Sequence, residues 1–479
     1  MTTERLQELF DSQRTAFLAD GPATAQARID RIDRLKAMLL DGGDRLTAAI
    51  RDDYGTRPES LSLIADVVSG LGEMTYLQKN LASWMRPQRP QPLARLFGVT
   101  METHAVPLGV VGVIAPWNFP LQLLMQPAAA ALAAGNRVML RPSSALPRMS
   151  AVLAELAPQY FAPEELVVVT KEVASGAQFA ALPFDHLFFT GSTETGRRIQ
   201  RAAADNLTPV TLELGGKNPA VVARTADVRR AADRIGAARM VNSGQTCLSP
   251  DYAFVPEESA DAFVEALLDG WRKRYPVVSG NEQYVSLIDD DAYQRIMGLL
   301  DDARAKGATV RSADEEPADP VRRQIAPTVV TGVTDAMEIS REEIFGPVLA
   351  VHTYGAVDEV IDYLAPRPSP LGAYWYGDDD AAFRRFFART RSGSVNRNDF
   401  GLVNAMHHLP FGGVGRSGMG NYHGKFGFDT FSHLRPIAAQ PTPLSLASII
   451  ATPHSRRLAK GIARYADQQR KAVAKRLGG

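Results

Sequence analysis

Cysteine is the scarcest residue of this chain: Cys247 is the single one among 479 residues. One thiol excludes an internal disulfide framework and a cysteine-rich metal site, so no metal is expected, and it fits the reducing cytoplasm as the expected location. Long apolar runs are also missing. No stretch approaches the roughly 18 to 20 residues needed to span a bilayer, and the longest candidate, Pro127 to Ala134, is mostly alanine. The N-terminal residues MTTERLQELFDSQRTAFLADG carry charges every few positions, where a secretory signal needs an apolar core of about 7 to 15 residues. Net charge is absent as well. Lys and Arg total 53 and Asp and Glu total 53, which leaves no global field to attract nucleic acid. No repeat with a period of about 20 to 50 residues is visible, which sets solenoids and propellers aside.

What is present is the composition of a globular protein, 45% hydrophobic and 22% charged. At roughly 100 to 200 residues per domain, the length predicts two to four domains. Between Ala25 and Asp53 the apolar positions Ile29, Ile32, Leu35, Leu39, Leu40, Leu46 and Ile50 recur at helical spacing. Pro87, Pro90 and Pro92 interrupt any helix after Trp84 and mark a passage between substructures. Beyond it, short apolar stretches at 106–115, 137–140, 166–169 and 186–189 alternate with helix-like segments, the rhythm of a doubly wound parallel sheet. A second cycle has strands at 220–222, 252–255, 348–351 and 394–396, with helices at 260–274 and 291–306. The expected fold class is therefore α/β, with two doubly wound parallel-sheet domains.

Five short segments carry candidate chemistry. Cys247 follows Asn242-Ser243-Gly244-Gln245-Thr246, whose glycine and small polar residues suit a tight turn with exposed amides. Taken alone, a free cysteine is either a nucleophile or a small buried hydrophobe. Glu213 lies between Leu212 and Leu214, ahead of Gly215 and Gly216. It is either a desolvated base with a raised pKa or a glutamate at a strand end. The stretch Phe189-Thr190-Gly191-Ser192-Thr193-Glu194-Thr195-Gly196 follows an apolar strand and opens a helix, as a pyrophosphate loop does, although it departs from Gly-x-Gly-x-x-Gly. Pro116 and Pro120 bracket Asn118 and fix the backbone that aims its amide, while Glu343-Ile344-Phe345-Gly346-Pro347 offers a carboxylate and an aromatic face. Each is equally readable as a structural turn.

In order and separation these segments resemble the aldehyde dehydrogenase superfamily from Ala25 to His433. The run from Leu409 to Gly420, with Tyr422-His423-Gly424-Lys425 and Phe428-Asp429-Thr430-Phe431-Ser432-His433, resembles its class 3 and coniferyl aldehyde dehydrogenase branch. The resemblance implies that Cys247 is the nucleophile, Glu213 the general base, and Asn118 with the Cys247 amide the oxyanion site. It implies oxidation of an aldehyde to the acid through a thiohemiacetal and a thioester, with NAD or NADP as cofactor. The implied cofactor-binding residues are Trp117, Arg141, Ser144, Thr190, Gly191, Ser192, Gly196, Gly215, Glu343 and Phe345. One departure stands out: Arg141-Pro142-Ser143-Ser144 occupies a segment where the family usually begins with lysine and often ends on glutamate. Losing that carboxylate favours tolerance of a 2′-phosphate, which arginine binds well.

By the same resemblance, residues 1–88 and 108–213 form a Rossmann-like cofactor domain and 214–404 the catalytic domain. Residues 89–107 and 405–435 are bridging and oligomerisation segments built on a small β hairpin, implying a homodimer, and 436–479 are a basic tail. The implied substrate is a small aldehyde, aromatic of the coniferyl type or medium-chain aliphatic, with Tyr54, Trp117, Phe400 and Tyr422 available to wall its pocket. A thiol esterase using the same Cys–Glu pair, a CoA-acylating enzyme and a non-catalytic structural protein are the alternatives. The tail from Ser455 reads as a solvated basic helix, a cover over the substrate mouth, or a peripheral contact with an anionic membrane surface.

Overall fold

The computed structural model describes residues 2–89, 98–316, 318–443 and 445–478. Two sheets dominate, and central strands such as 110–114, 137–141, 218–222 and 372–376 are fully buried, as the near-continuous apolar runs of parallel sheets require. The first sheet has six strands in the order 418–419, 210–214, 186–191, 110–114, 137–141 and 166–168. All neighbours run parallel except the edge strand, where Gly418 and Met419 pair antiparallel with Glu213 and Leu212. The second has seven, in the order 394–397, 372–376, 218–222, 250–256, 348–354, 328–331 and 309–312, parallel except at the last pair. The helices the spacing predicts are present, Ala25–Asp41 and Gly43–Tyr54 ahead of the strands and Ala260–Arg274 and Asp290–Ala305 between strands of the second sheet. The chain is an α/β protein with two mostly parallel sheets.

The alanine-rich run of 127–134 belongs to helix Pro120–Ala134, every residue of which is buried. A helix apolar all round needs cover on every side. It is packed against helices Ala25–Asp41, Ser69–Trp84 and Gly424–Thr430. Pro120 sits at its first turn, and Gly135 closes it in the left-handed region.

Two expectations need correction. The apolar stretch 106–115 is two strands: it breaks at Leu108–Gly109, whose amides both donate to Asn136 Oδ1 at 2.7 and 2.9 Å. Strand Val110–Ile114 enters the first sheet, whereas Thr100–Pro107 pairs with Ser432–Ala439. Residues 405–433 are also less of a bridge than the resemblance implies. They supply the first sheet's edge strand and helix Gly424–Thr430, because burying Phe411, Tyr422, Phe428 and Phe431 fixes them to its core.

The chain forms two compact units, Met1–Met85 with Ala105–His433, and Arg86–His104 with Leu434–Gly479. Both large sheets lie in the first. The tip of the expected oligomerisation hairpin, residues 90–97, lies outside the described residues. The second unit ends in helix Arg456–Arg476, none of whose residues is buried. Among the described residues no helix is long and apolar enough to cross a membrane.

Candidate active site

The cysteine loop is a strained piece of backbone. Asn242, Ser243 and Gly244 follow one another at φ 54°, 51° and 76°, a left-handed run that only glycine adopts freely. Gly244 has no alternative, because a Cβ there would collide with the Gly346 carbonyl. Side chains hold the turn: Asn242 Nδ2 donates to the carbonyls of Asn118 and Gln245 at 3.2 Å each, and Ser243 Oγ donates to Val285 at 2.7 Å. Asn218, buried at the start of a second-sheet strand, donates to the carbonyls of Cys247 at 2.7 Å and Ser249 at 3.0 Å. The thiol is thereby fixed from both ends of its loop.

Cys247 and Glu213 stand where two cavities meet. One, of about 280 Å³, is mainly apolar, with Phe119, Leu371, Phe400, Phe411 and Tyr422 among its walls. The other, of about 310 Å³, is lined by Trp117, Asn118, Gly191, Ser192, Glu343 and Phe345 among others. Cys247, Glu213, Thr190 and Leu123 line both. Glu213 is buried and neither carboxylate oxygen has a partner, so desolvation raises its pKa well above the ordinary range. Desolvation, then the Glu343 and Glu213 carboxylates, push the Cys247 thiol up to about 12 against the pull of the Cys247 and Leu248 amides. Burial thus disfavours the charged form of both groups.

Around the second cavity, Asn118 Nδ2 donates to Gln245 at 3.1 Å while its buried Oδ1 has no partner; Thr190 Oγ1 is likewise buried and unpartnered. Trp117 meets Phe345 edge-on at 5.5 Å, and Phe345 is itself left-handed at φ 50°. Glu343 is pushed up to about 8, first by burial and then by Asp251. A Cβ on Gly215 would strike its carboxylate, so the glycine is needed to seat Glu343. Orphaned polar atoms, an aromatic slot and close backbone approach suit the nicotinamide end of a dinucleotide. Ser192 caps helix Thr193–Ala204 through the Thr195 amide at 3.3 Å, and Gly196 lies against Leu214 within that helix. Arg141 and Ser144 do not line this cavity: Arg141 is buried and Ser144 exposed. Exposed Glu172 interacts electrostatically with Arg141, a carboxylate that spacing did not reveal.

Sequence reading also missed a buried brace. The side chains of Arg57 and Asp66 are fully buried and ion-paired at 2.8 Å. Arg57 donates to the Asn118 carbonyl at 2.7 Å and to Asn242 Oδ1 at 3.0 Å. Asp66 accepts the Leu121 and Gln122 amides at 3.1 and 3.3 Å, at the start of helix Pro120–Ala134. One ion pair therefore ties the Asn118 loop to the cysteine loop.

Residues 1–437 match the model of the aldehyde dehydrogenase family. The chain belongs to the aldehyde dehydrogenase family. This aldehyde dehydrogenase is 44% identical over 440 residues to coniferyl aldehyde dehydrogenase of Pseudomonas sp. (strain HR199), covering 91% of each chain. It is 34% identical over 439 residues to the dimeric NADP-preferring aldehyde dehydrogenase of Canis lupus familiaris, covering 91% of this chain and 95% of that one. Among solved structures, it superposes on the substrate-bound state of Staphylococcus aureus AldH with a TM-score of 0.88 at 31% identity, over 96% of this chain and 99% of the other. The dehydrogenase is accordingly an oxidoreductase that couples aldehyde oxidation to NAD or NADP.

Proposed function

We propose that the apolar cavity receives an aromatic aldehyde of the coniferyl type and that Cys247 attacks it there. The carrying observation is the shared border: one thiol and one unpartnered carboxylate face both cavities. Cys247 Sγ adds to the carbonyl carbon after losing its proton to Glu213, either directly or through water. The second Asn118 amide hydrogen and the Cys247 N–H receive the oxyanion. The cofactor, when bound, accepts the hydride that leaves the tetrahedral carbon. Once Glu213 has passed that proton to solvent, it takes a proton from the water that hydrolyses the thioester and returns it to the departing Cys247 thiolate, releasing the acid and the thiol. Glu343, Phe345 and Trp117 hold the nicotinamide end. Ser192, Thr190, Gly191, Gly196 and Gly215 shape the pyrophosphate path, and Arg141 and Ser144 face the adenosine ribose.

The aromatic preference is supported by walls of Phe119, Phe400, Phe411 and Tyr422 with the Gln122 and Asn404 amides among them, a match for a ring carrying polar substituents. The similar Pseudomonas enzyme is named for such a substrate. Both cofactors are accepted in this proposal: Ser144 leaves room for a 2′-phosphate, while Glu172 moderates the preference. A homodimer is also proposed, since a similar enzyme is named dimeric; light scattering tests it.

Two variants test the chemistry. Cys247→Ser is expected to lower formation of reduced nicotinamide about a thousandfold or more while leaving dinucleotide binding, followed by tryptophan fluorescence, unchanged. Glu213→Gln is expected to yield a first turnover followed by steady-state turnover slowed about a hundredfold or more. Undiminished turnover of Cys247→Ser removes the proposal, and faster turnover of medium-chain aliphatic aldehydes than of coniferaldehyde removes its substrate.

A further inference from the structure

The helix Arg456–Arg476 is unlike the other long helices of the chain, because its 21 residues include no buried one. At 1.5 Å per residue it extends about 31 Å. A solvated helix of this length normally lives on polar residues all round, yet this one is two-faced. Leu458, Ile462, Tyr465 and Val473 recur at spacings of four, three and eight, with Ala466 and Ala472 beside them. Ile462 is 54%, Tyr465 64% and Val473 49% exposed. On the opposite side stand Arg457, Lys460, Arg464, Lys471 and Lys475. Arg456 to Arg476 hold eight Lys or Arg and a single acid, Asp467, within a chain of zero formal net charge. The helix shows one ion pair among the described residues, Lys471 with Asp467 at 3.5 Å. Its start is well made: Ser455 Oγ caps the Leu458 amide at 3.2 Å.

We infer that this helix is a peripheral docking element for an anionic phospholipid surface, lying in the plane of the membrane with its apolar stripe among the acyl chains and its cations at the headgroups. Charge complementarity selects that occupant: a strongly cationic face beside an uncovered apolar stripe is the pattern of interfacial helices. A second copy of the helix fits less well. Packing along the 458, 462, 465, 469, 472 and 476 seam would bury Gln469 and the Arg476 charge. Nucleic acid would neutralise the cations but leave Ile462 and Tyr465 uncovered. The helix is too charged to cross a bilayer, so association is reversible and depends on salt.

The test is cosedimentation of the full-length chain with vesicles of phosphatidylcholine alone and of phosphatidylcholine mixed with phosphatidylglycerol. Binding is expected to the mixed vesicles only, with release by high salt. Lys460→Glu combined with Arg464→Glu and Lys471→Glu should weaken it roughly hundredfold. Ile462→Asp combined with Tyr465→Asp should also abolish it, and both variants should keep wild-type turnover in lipid-free solution. Absence of binding, equal binding to neutral vesicles, binding indifferent to salt, or binding retained by both variants overturns the inference. Lipid-free association that Ile462→Asp with Tyr465→Asp abolishes, without vesicle binding, reassigns the stripe to a second copy.

Discussion

Two carboxylates raise the pKa of Cys247, and they are separable. Glu343 outweighs Glu213 in pushing the thiol up to about 12, although it stands on the cofactor side. Glu343→Gln removes a negative charge that disfavours the thiolate, so the midpoint of iodoacetamide alkylation of Cys247 is expected to move to lower pH. An unchanged or raised midpoint contradicts that role. Glu213 also bears on turnover. With Glu213 raised well above the carboxylate range, activity should climb from neutral into alkaline pH as this base loses its proton. Sequence made Cys247 and Glu213 visible as residue types in suggestive settings. Their pKa values come from burial and from charges distant in the chain, which no spacing rule contains.

At the level of elements, the decisive part is the Arg57–Asp66 pair joining three loops and a helix start. Asp66 is pushed up to about 6 by burial even with Arg57 beside it, so without that guanidinium it would be a lone buried charge. Arg57→Met is expected to cost about 3 to 5 kcal/mol in urea unfolding and to reduce kcat/KM, because the Asn118 and cysteine loops lose a shared anchor. A loss of less than about 1 kcal/mol would show that the brace is dispensable. Helices with clear apolar periodicity, such as Ala260–Arg274, were legible almost to their ends. Strand Gly372–Tyr376 was not, because a strand buried on both faces has no alternation to read. The two-residue edge strand Gly418–Met419 was equally hidden, since its pairing with Glu213 and Leu212 spans some two hundred residues of chain.

Over the whole molecule, two buried histidines and a partly buried one tie stability to pH. His186, His352 and His423 are each lowered to about 4, first by burial, from an ordinary value of 6.5. The unfolded chain binds protons at these sites before the folded one does. Their stabilising contribution is therefore present above pH 6.5 and is lost as pH falls toward 4. Urea midpoints should drop across that window, and His423→Phe, in a site where both ring nitrogens lack partners, should flatten the fall. A midpoint independent of pH between 6.5 and 4 rules this out.

The sequence by itself determined the α/β rhythm, the main helices and the order of the motifs, because these depend on local periodicity and on residue chemistry carried along the chain. It also placed the exposed basic helix at the C-terminal end, where composition and spacing suffice. Only the tertiary structure decided that Cys247 and Glu213 border two cavities at once, that Glu343 presses on the thiol, and that Arg57 holds both loops. Burial, electrostatic neighbours and strain arise where distant segments meet, and a linear pattern carries no record of those meetings.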